Sequence, residues 1–156
     1  GTILREVRKA AEILRKEYSV AVDVWSVTSF NELRRDALAV SRENMLCPDK
    51  KPKLPFVTEK LAKQKGPIIA ATDYMKAYSD QIREFVPDSY RVLGTDGFGR
   101  SDSRERLRHF FEVDSKFVVL AALTDLKELD LVDPKAILAH MKKTGIKRAK
   151  ANPLHQ

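Results

Sequence analysis

The sequence predicts a single α/β domain of three layers (α/β/α), with helices on both faces of a mostly parallel sheet. Short β-branched or aliphatic runs at Val20 to Val27, Pro67 to Thr72 and Tyr90 to Gly94 alternate with segments of helical period. With 156 residues, 43% of them apolar and 33% charged, the chain has the size and balance of one hydrophobic core. The first recognisable element is a helix. In an α/β unit a helix follows a strand, so the first strand of the sheet is expected upstream of Gly1. The domain is expected to occupy 1–156, with 146–156 as an exposed basic tail.

The elements follow in order. Ile3, Leu4, Val7, Ala10, Ala11, Leu14 and Tyr18 recur at three- and four-residue spacing, with Arg5, Lys9, Glu12 and Lys16 on the other face, which predicts an amphipathic helix. Val20, Val22 and Val24 then alternate with Ala21, Asp23 and Trp25, the pattern of a largely buried strand. Ser29-Phe30-Asn31-Glu32 has the form of a capping box and opens a helix expected to reach about Met45. Between Cys47 and Pro55, three prolines (Pro48, Pro52, Pro55) and three lysines (Lys50, Lys51, Lys53) forbid regular structure and place an exposed connection. A short helix is expected after Thr58.

Pro67 to Thr72 is the second strand, and Tyr74 to Val86 alternates apolar and charged residues at helical period until Pro87 stops it. Tyr90 to Gly94 is the third strand, leading into a glycine-rich stretch and a helix from about Ser103. Asp114 caps a further helix that buries Phe117, Val118, Leu120, Ala121, Leu123 and Leu126. Asp133-Pro134 begins the last helix, because aspartate accepts from free amides and proline suits the first helical position. Gly145 ends it.

Composition narrows the functional classes only broadly. No apolar run approaches the roughly 18 to 20 residues of a membrane span, and the opening GTILREV is neither a signal segment nor an initiator methionine, so a fragment of a cytoplasmic protein is expected. The lone Cys47 has no internal disulfide partner and suits a reducing compartment. A formal charge of +7 and a pI near 9.5 favour anionic partners. The basic zones at Lys50 to Lys65 and at Lys142, Lys143, Lys147, Arg148 and Lys150 read as solvated charge. Neither interleaved aromatics nor a reading helix accompanies them, which argues against nucleic acid.

CxxC, HExxH, GxSxG and GxxxxGK are all absent, and His109, His140 and His155 lie far apart along the chain. No catalytic residue, cofactor ligand or metal ligand is assigned. One stretch invites a site, Gly94-Thr95-Asp96-Gly97-Phe98-Gly99-Arg100-Ser101-Asp102-Ser103, at the carboxyl end of a strand where open α/β sheets bind ligands. Its glycines follow GxxGxG instead of the dinucleotide pattern GxGxxG. The expectation is that Asp102 caps the next helix with Glu105, that Phe98 anchors the loop, and that Leu107, Phe110 and Phe111 form the buried face. Arg104 and Arg108, one turn apart, would point outward together towards a carboxylate or phosphate. The candidate interface or anion-binding loop is therefore Asp96, Phe98, Gly99, Arg100, Ser101, Arg104 and Arg108.

The segments GTILREVRKAAEILRKEY, DVWSVTSFNELRRD, ENMLCP, ATDYMKAYSDQIREFVP and YRVLGTDGFGRSDSRERLRHFFEVD together resemble the homodimeric, thiamine-dependent pyruvate dehydrogenase decarboxylases of bacteria. The resemblance runs from Gly1 to about Leu123, with departures at Glu43 and Cys47. It implies the C-terminal domain of a transketolase-like enzyme, one that oxidatively decarboxylates pyruvate and passes the acetyl unit to a lipoyl group. It further implies thiamine diphosphate and magnesium in the full-length enzyme, held on other domains by a GDG motif with a partner asparagine. This chain has Thr95-Asp96-Gly97 and no such partner, so no cofactor is expected on this domain alone. The implied partners are the remainder of its own chain, a second protomer and the lipoyl acetyltransferase component, with no membrane. The competing readings are a standalone anion-binding or regulatory module built on the Gly94 to Ser103 loop, and a basic nucleic-acid-binding module.

Overall fold

The computed structural model describes residues 2–155. In chain order the elements are α1 (Ile3–Tyr18), α2 (Phe30–Leu46), α3 (Phe56–Leu61), β1 (Ile68–Ala71), α4 (Lys76–Asp80), β2 (Tyr90–Leu93), α5 (Arg104–Phe110), α6 (Ser115–Glu128) and α7 (Pro134–Thr144). Short 3-10 turns lie at Arg83–Phe85 and Pro153–His155.

β1 and β2 pair in parallel, Ile68 opposite Tyr90 through Ala71 opposite Leu93. Alternate side chains leave a strand on opposite faces, and the packing follows that rule. Ile69, Ala71 and Leu93 lie against Ala10, Leu14, Val118, Val119, Ala122 and Leu123 of α1 and α6. Ile68, Ala70, Tyr90 and Val92 turn the other way, towards Val57, Ile82, Phe30 and Leu33. Helices thus cover both faces of a small parallel sheet, the three-layer arrangement expected.

The helix ends have local causes. Ser29 Oγ accepts from the Glu32 amide, Asp114 Oδ1 from Phe117 and Asp133 Oδ1 from Lys135, each meeting an amide that the first turn leaves free. Gly145 ends α7 at φ 75°, a left-handed position suited to glycine. No helix among the described residues is long and apolar enough to cross a membrane.

Two elements differ from expectation. Val20 to Val27 joins no ladder among the described residues. Val20 and Val22 do pack on the α1–α6 cluster, and the Val22 carbonyl accepts from the Arg15 guanidinium, yet Val24, Trp25 and Val27 stand exposed. A strand needs a neighbour for its amides, and neither described strand pairs with this segment. The single helix expected over Tyr74 to Val86 is broken into α4 and a 3-10 turn. The Tyr78 carbonyl is taken by the Gln81 side chain and the Ser79 carbonyl by the Tyr90 hydroxyl, while Ile82 leaves helical angles at φ −101°, ψ 3°. α3 also starts earlier than expected, because Asp36 Oδ2 accepts from the Phe56 amide at 2.8 Å.

The tail, expected to be exposed over 146–156, is exposed at 147–149, 151–152 and 154–155, but it is anchored at points. Ile146 and Pro153 are buried. Lys150 Nζ donates to the Phe110 carbonyl at 2.8 Å and to Glu112 Oε1 at 2.9 Å, which returns the chain to α5.

Candidate functional site

Both strands end on the same side, so the turns that follow them meet. The Thr72 amide extends the ladder by donating to the Leu93 carbonyl at 3.0 Å, and Thr95 then donates from its amide to the Tyr74 carbonyl at 2.9 Å. Its hydroxyl donates to the Asp73 carbonyl at 2.6 Å. A Cβ on Gly94 would lie 2.8 Å from the Tyr74 oxygen and 2.9 Å from the Lys76 nitrogen, so only glycine permits this approach. Gly97 sits at φ 98°, and a Cβ there would run into the Pro153 carbonyl. The glycine-rich turn is thereby wedged between the turn after β1 and the tail.

The carboxylate of Asp96 belongs to this frame, since Oδ1 accepts from the Lys76 amide at 2.9 Å and closes the start of α4. One oxygen of that carboxylate is thereby committed to the backbone of the neighbouring turn. Among the described residues no three His, Cys, Asp or Glu side chains are grouped to hold a metal ion.

The other candidates divide. Gly99, Arg100, Ser101 and Arg104 are exposed, and the Arg100 guanidinium carbon lies 4.3 Å from the centre of the Phe110 ring. Phe98, expected to anchor the loop, is instead 78% exposed, because Gly97 turns the backbone onto the tail and carries the next side chain outward. Asp102 is not the cap of α5. Ser103 takes that place, its Oγ accepting from the Arg106 amide, and Asp102 Oδ1 accepts from Ser103 at 2.6 Å. Leu107, Phe110 and Phe111 are half-buried, with the two phenylalanine rings edge to face at 5.0 Å.

Arg104 and Arg108 do not act as a pair. Arg108 reaches from α5 to α1, where its Nη1 donates to Glu6 Oε1 at 2.9 Å, and Glu6 Oε2 accepts from the Ser115 amide at 3.0 Å. One carboxylate therefore joins α1, α5 and the start of α6. Sequence reasoning missed Glu6, and it missed Lys150 and Pro153, whose contacts lie far along the chain. Only Asn152-Pro153 carried a local signal, as a turn in which the Leu154 amide donates to Asn152 Oδ1.

The remaining titratable groups serve the frame. His109 Nδ1 lies 3.0 Å from Asp114 Oδ2, and the buried His140 sits between the Tyr18 hydroxyl at 3.2 Å and the Lys116 carbonyl at 2.9 Å. Burial pushes the Tyr90 phenol well above its ordinary value and, with the Glu17 charge, raises Tyr18 as well. The hydrogen bond to Asp125 raises Arg91 further. A groove of about 480 Å³ lies between α1 and the segment after it, lined by Arg8, Glu12, Arg15 and Val24 among others and by no residue of the glycine-rich turn.

Residues 1–114 match the family described as the transketolase-like TK C-terminal domain. The chain is 57% identical over 155 residues to the pyruvate dehydrogenase E1 component of Pseudomonas aeruginosa, a match that covers 99% of this chain and 18% of that protein. It is 52% identical over 154 residues to the pyruvate dehydrogenase E1 component of Escherichia coli, covering 98% of this chain and 17% of that protein. It is 47% identical over 156 residues to that of Haemophilus influenzae, covering 99% and 17%. The identity thus continues beyond Leu123 into the last helix and the tail, while the chain spans less than a fifth of the length of these relatives.

Proposed function

Because the chain belongs to the transketolase-like C-terminal domain family, we propose that it forms one domain, 1–156, of a longer thiamine-diphosphate-dependent pyruvate dehydrogenase. The observation that carries this is the 57% identity over nearly the whole chain to a pyruvate dehydrogenase E1 component. The whole enzyme would oxidatively decarboxylate pyruvate and pass the acetyl unit to a lipoyl group on its acetyltransferase partner, as a cytoplasmic homodimer. Thiamine diphosphate and magnesium would supply the decarboxylation chemistry from sites outside these residues. Asp96, already engaged by the Lys76 amide, favours that placement.

This domain's part is to brace the enzyme and shape its surroundings. Helices on both faces of a short sheet make a rigid block, and the Asp96, Phe98, Gly99, Arg100, Ser101 and Arg104 side of it serves as an interface. Arg108 stands behind that surface, tying α5 to α1 through Glu6. The unpaired segment Val20 to Val27 fits a block whose sheet is completed by a further strand of the longer chain, since a helix packed on a parallel sheet follows a strand. The standalone anion-binding and nucleic-acid-binding readings draw no strength from the relatives or from the split between Arg104 and Arg108.

Calorimetric titration of the 156-residue chain with thiamine diphosphate and magnesium tests the assignment. No heat of binding is expected, and micromolar affinity would overturn the division of labour.

A further inference from the structure

We infer that residues 150–153 are a clasp across the two ends of the segment 97–112, and that the glycine-rich loop and α5 open as one unit when the clasp is released. The device lies within the described residues, and its working does not depend on what the loop surface meets in a longer protein.

The clasp has two anchor points. Lys150 Nζ donates to the Phe110 carbonyl at 2.8 Å and to Glu112 Oε1 at 2.9 Å, at the end of α5. Further along, the Pro153 carbonyl lies so close to Gly97 that a Cβ there would come within 2.4 Å of it. The chain from Lys150 to Pro153 spans at most roughly 10 Å, so a short strap holds together the ends of a much longer segment. Lysine suits the first anchor. Its ammonium has three protons to give, and the Ala151 carbonyl is a further acceptor at 3.5 Å. The Phe110 and Phe117 rings each lie 5.5 Å from the same nitrogen.

Little else holds the segment. Residues 97–106 are all exposed, and α5 buries no residue fully. At seven residues α5 is shorter than the about 12 that a helix needs to persist unaided. Among the described residues its other polar ties to the body are Arg108 to Glu6 and His109 to Asp114. Both ends carry hinge positions. Gly97 and Gly99 flank Phe98 at one end, and at the other Glu112 stands at φ 62°, a left-handed angle that a side chain resists. Lys150 helps hold Glu112 there, and letting it go relieves the strain. The strap depends on the segment in turn, since residues 147–149, 151–152 and 154–155 around its anchors are exposed. Each part orders the other, so their release is local and cooperative. A partner that captured Lys150 or Pro153 would therefore also reshape the surface at Arg100, Ser101 and Arg104.

Hydrogen exchange of the full-length protein, read by mass spectrometry, tests the clasp. Lys150→Met should speed exchange at the α5 amides of Leu107 and Phe111 at least about tenfold. Gly97→Ala, which strikes the opposite anchor, should speed the same amides to a similar degree, while peptides covering 117–126 stay protected in both variants over the same period. Acceleration in only one variant would reduce the strap to a single-point contact and overturn the clasp, as would acceleration in neither. Loss of protection over 117–126 as fast as over α5 would mean that the tail supports the whole fold and not this segment, which also overturns it.

Discussion

Along the contact between α1 and α6, Leu123 and Val119 have no solvent exposure, whereas Phe98, on the turn that follows β2, stands almost clear of the surface. Both regions are tied together, but by different contacts. The helical contact is held by interlocked aliphatic side chains, so its stability lies in buried area. The carboxyl edge is held by backbone contacts around two glycines, a carboxylate and the returning tail, and its apolar side chains take no part. The first is a core; the second is a frame that presents its hydrophobic groups outward.

The largest expected effect separates the two. Leu123→Ala should lower the unfolding free energy by about 2–5 kcal/mol, through lost burial and the cavity left behind. Phe98→Ala should change it by no more than about 0.5 kcal/mol. Urea denaturation of the two variants measures both. A Phe98→Ala loss as large as that of Leu123→Ala would show that the exposed ring supports the fold and would end the comparison.

A smaller effect probes the frame itself. Gly97→Ala should destabilise by about 1–3 kcal/mol, because the left-handed backbone and the adjacent Pro153 carbonyl both oppose a Cβ. The strain should be relieved by displacing the tail, so trypsin should cut after Arg148 and Lys150 faster than in the parent. Gly99→Ala is the matched control, since no atom lies within 4 Å of its Cβ position and its backbone is not left-handed. It should be neutral or slightly stabilising. Equal tryptic rates in Gly97→Ala and the parent would mean that the glycine turn does not hold the tail.

What could be read in advance divides along the same line. Ser29, Asp114, Asp133 and Gly145 act within four residues of themselves, and their caps follow from side-chain chemistry and local spacing. The two paired strands were equally legible, because β-branched and aliphatic runs bounded by turns have few other stable uses. Val20 to Val27 has the same composition, but a strand also requires a neighbour, and composition does not supply one. Asp102 and Ser103 compete for one cap, a choice decided by a single backbone step. Arg108 turns inward because Glu6, 102 residues away, faces it. The outward turn of Phe98 depends on a carbonyl beyond residue 150. Long-range partners of this kind leave no periodic trace.

The smallest effect sharpens the comparison within one strand, because β2 begins in the closed region at Tyr90 and ends at Leu93, just before the open edge. The Tyr90 ring is buried in the second apolar cluster and its hydroxyl donates to the Ser79 carbonyl at 2.8 Å, so ionisation in the folded state is opposed and the folded value is raised. The unfolded chain ionises near pH 10, as an ordinary tyrosine does. Stability from this group is therefore complete below about pH 10 and should fall by about 1.4 kcal/mol per pH unit above it, as the unfolded state alone loses the proton. Tyr90→Phe should cost about 0.5–1.5 kcal/mol at neutral pH through the lost hydrogen bond. The same substitution should flatten the alkaline fall, leaving only the weaker contributions of the other raised groups, Tyr18, Lys143 and Arg91. Unfolding curves collected between pH 8 and about 11.5 decide the matter. An alkaline slope unchanged by Tyr90→Phe would place Tyr90 in contact with water when folded and would open the closed end of the strand as well.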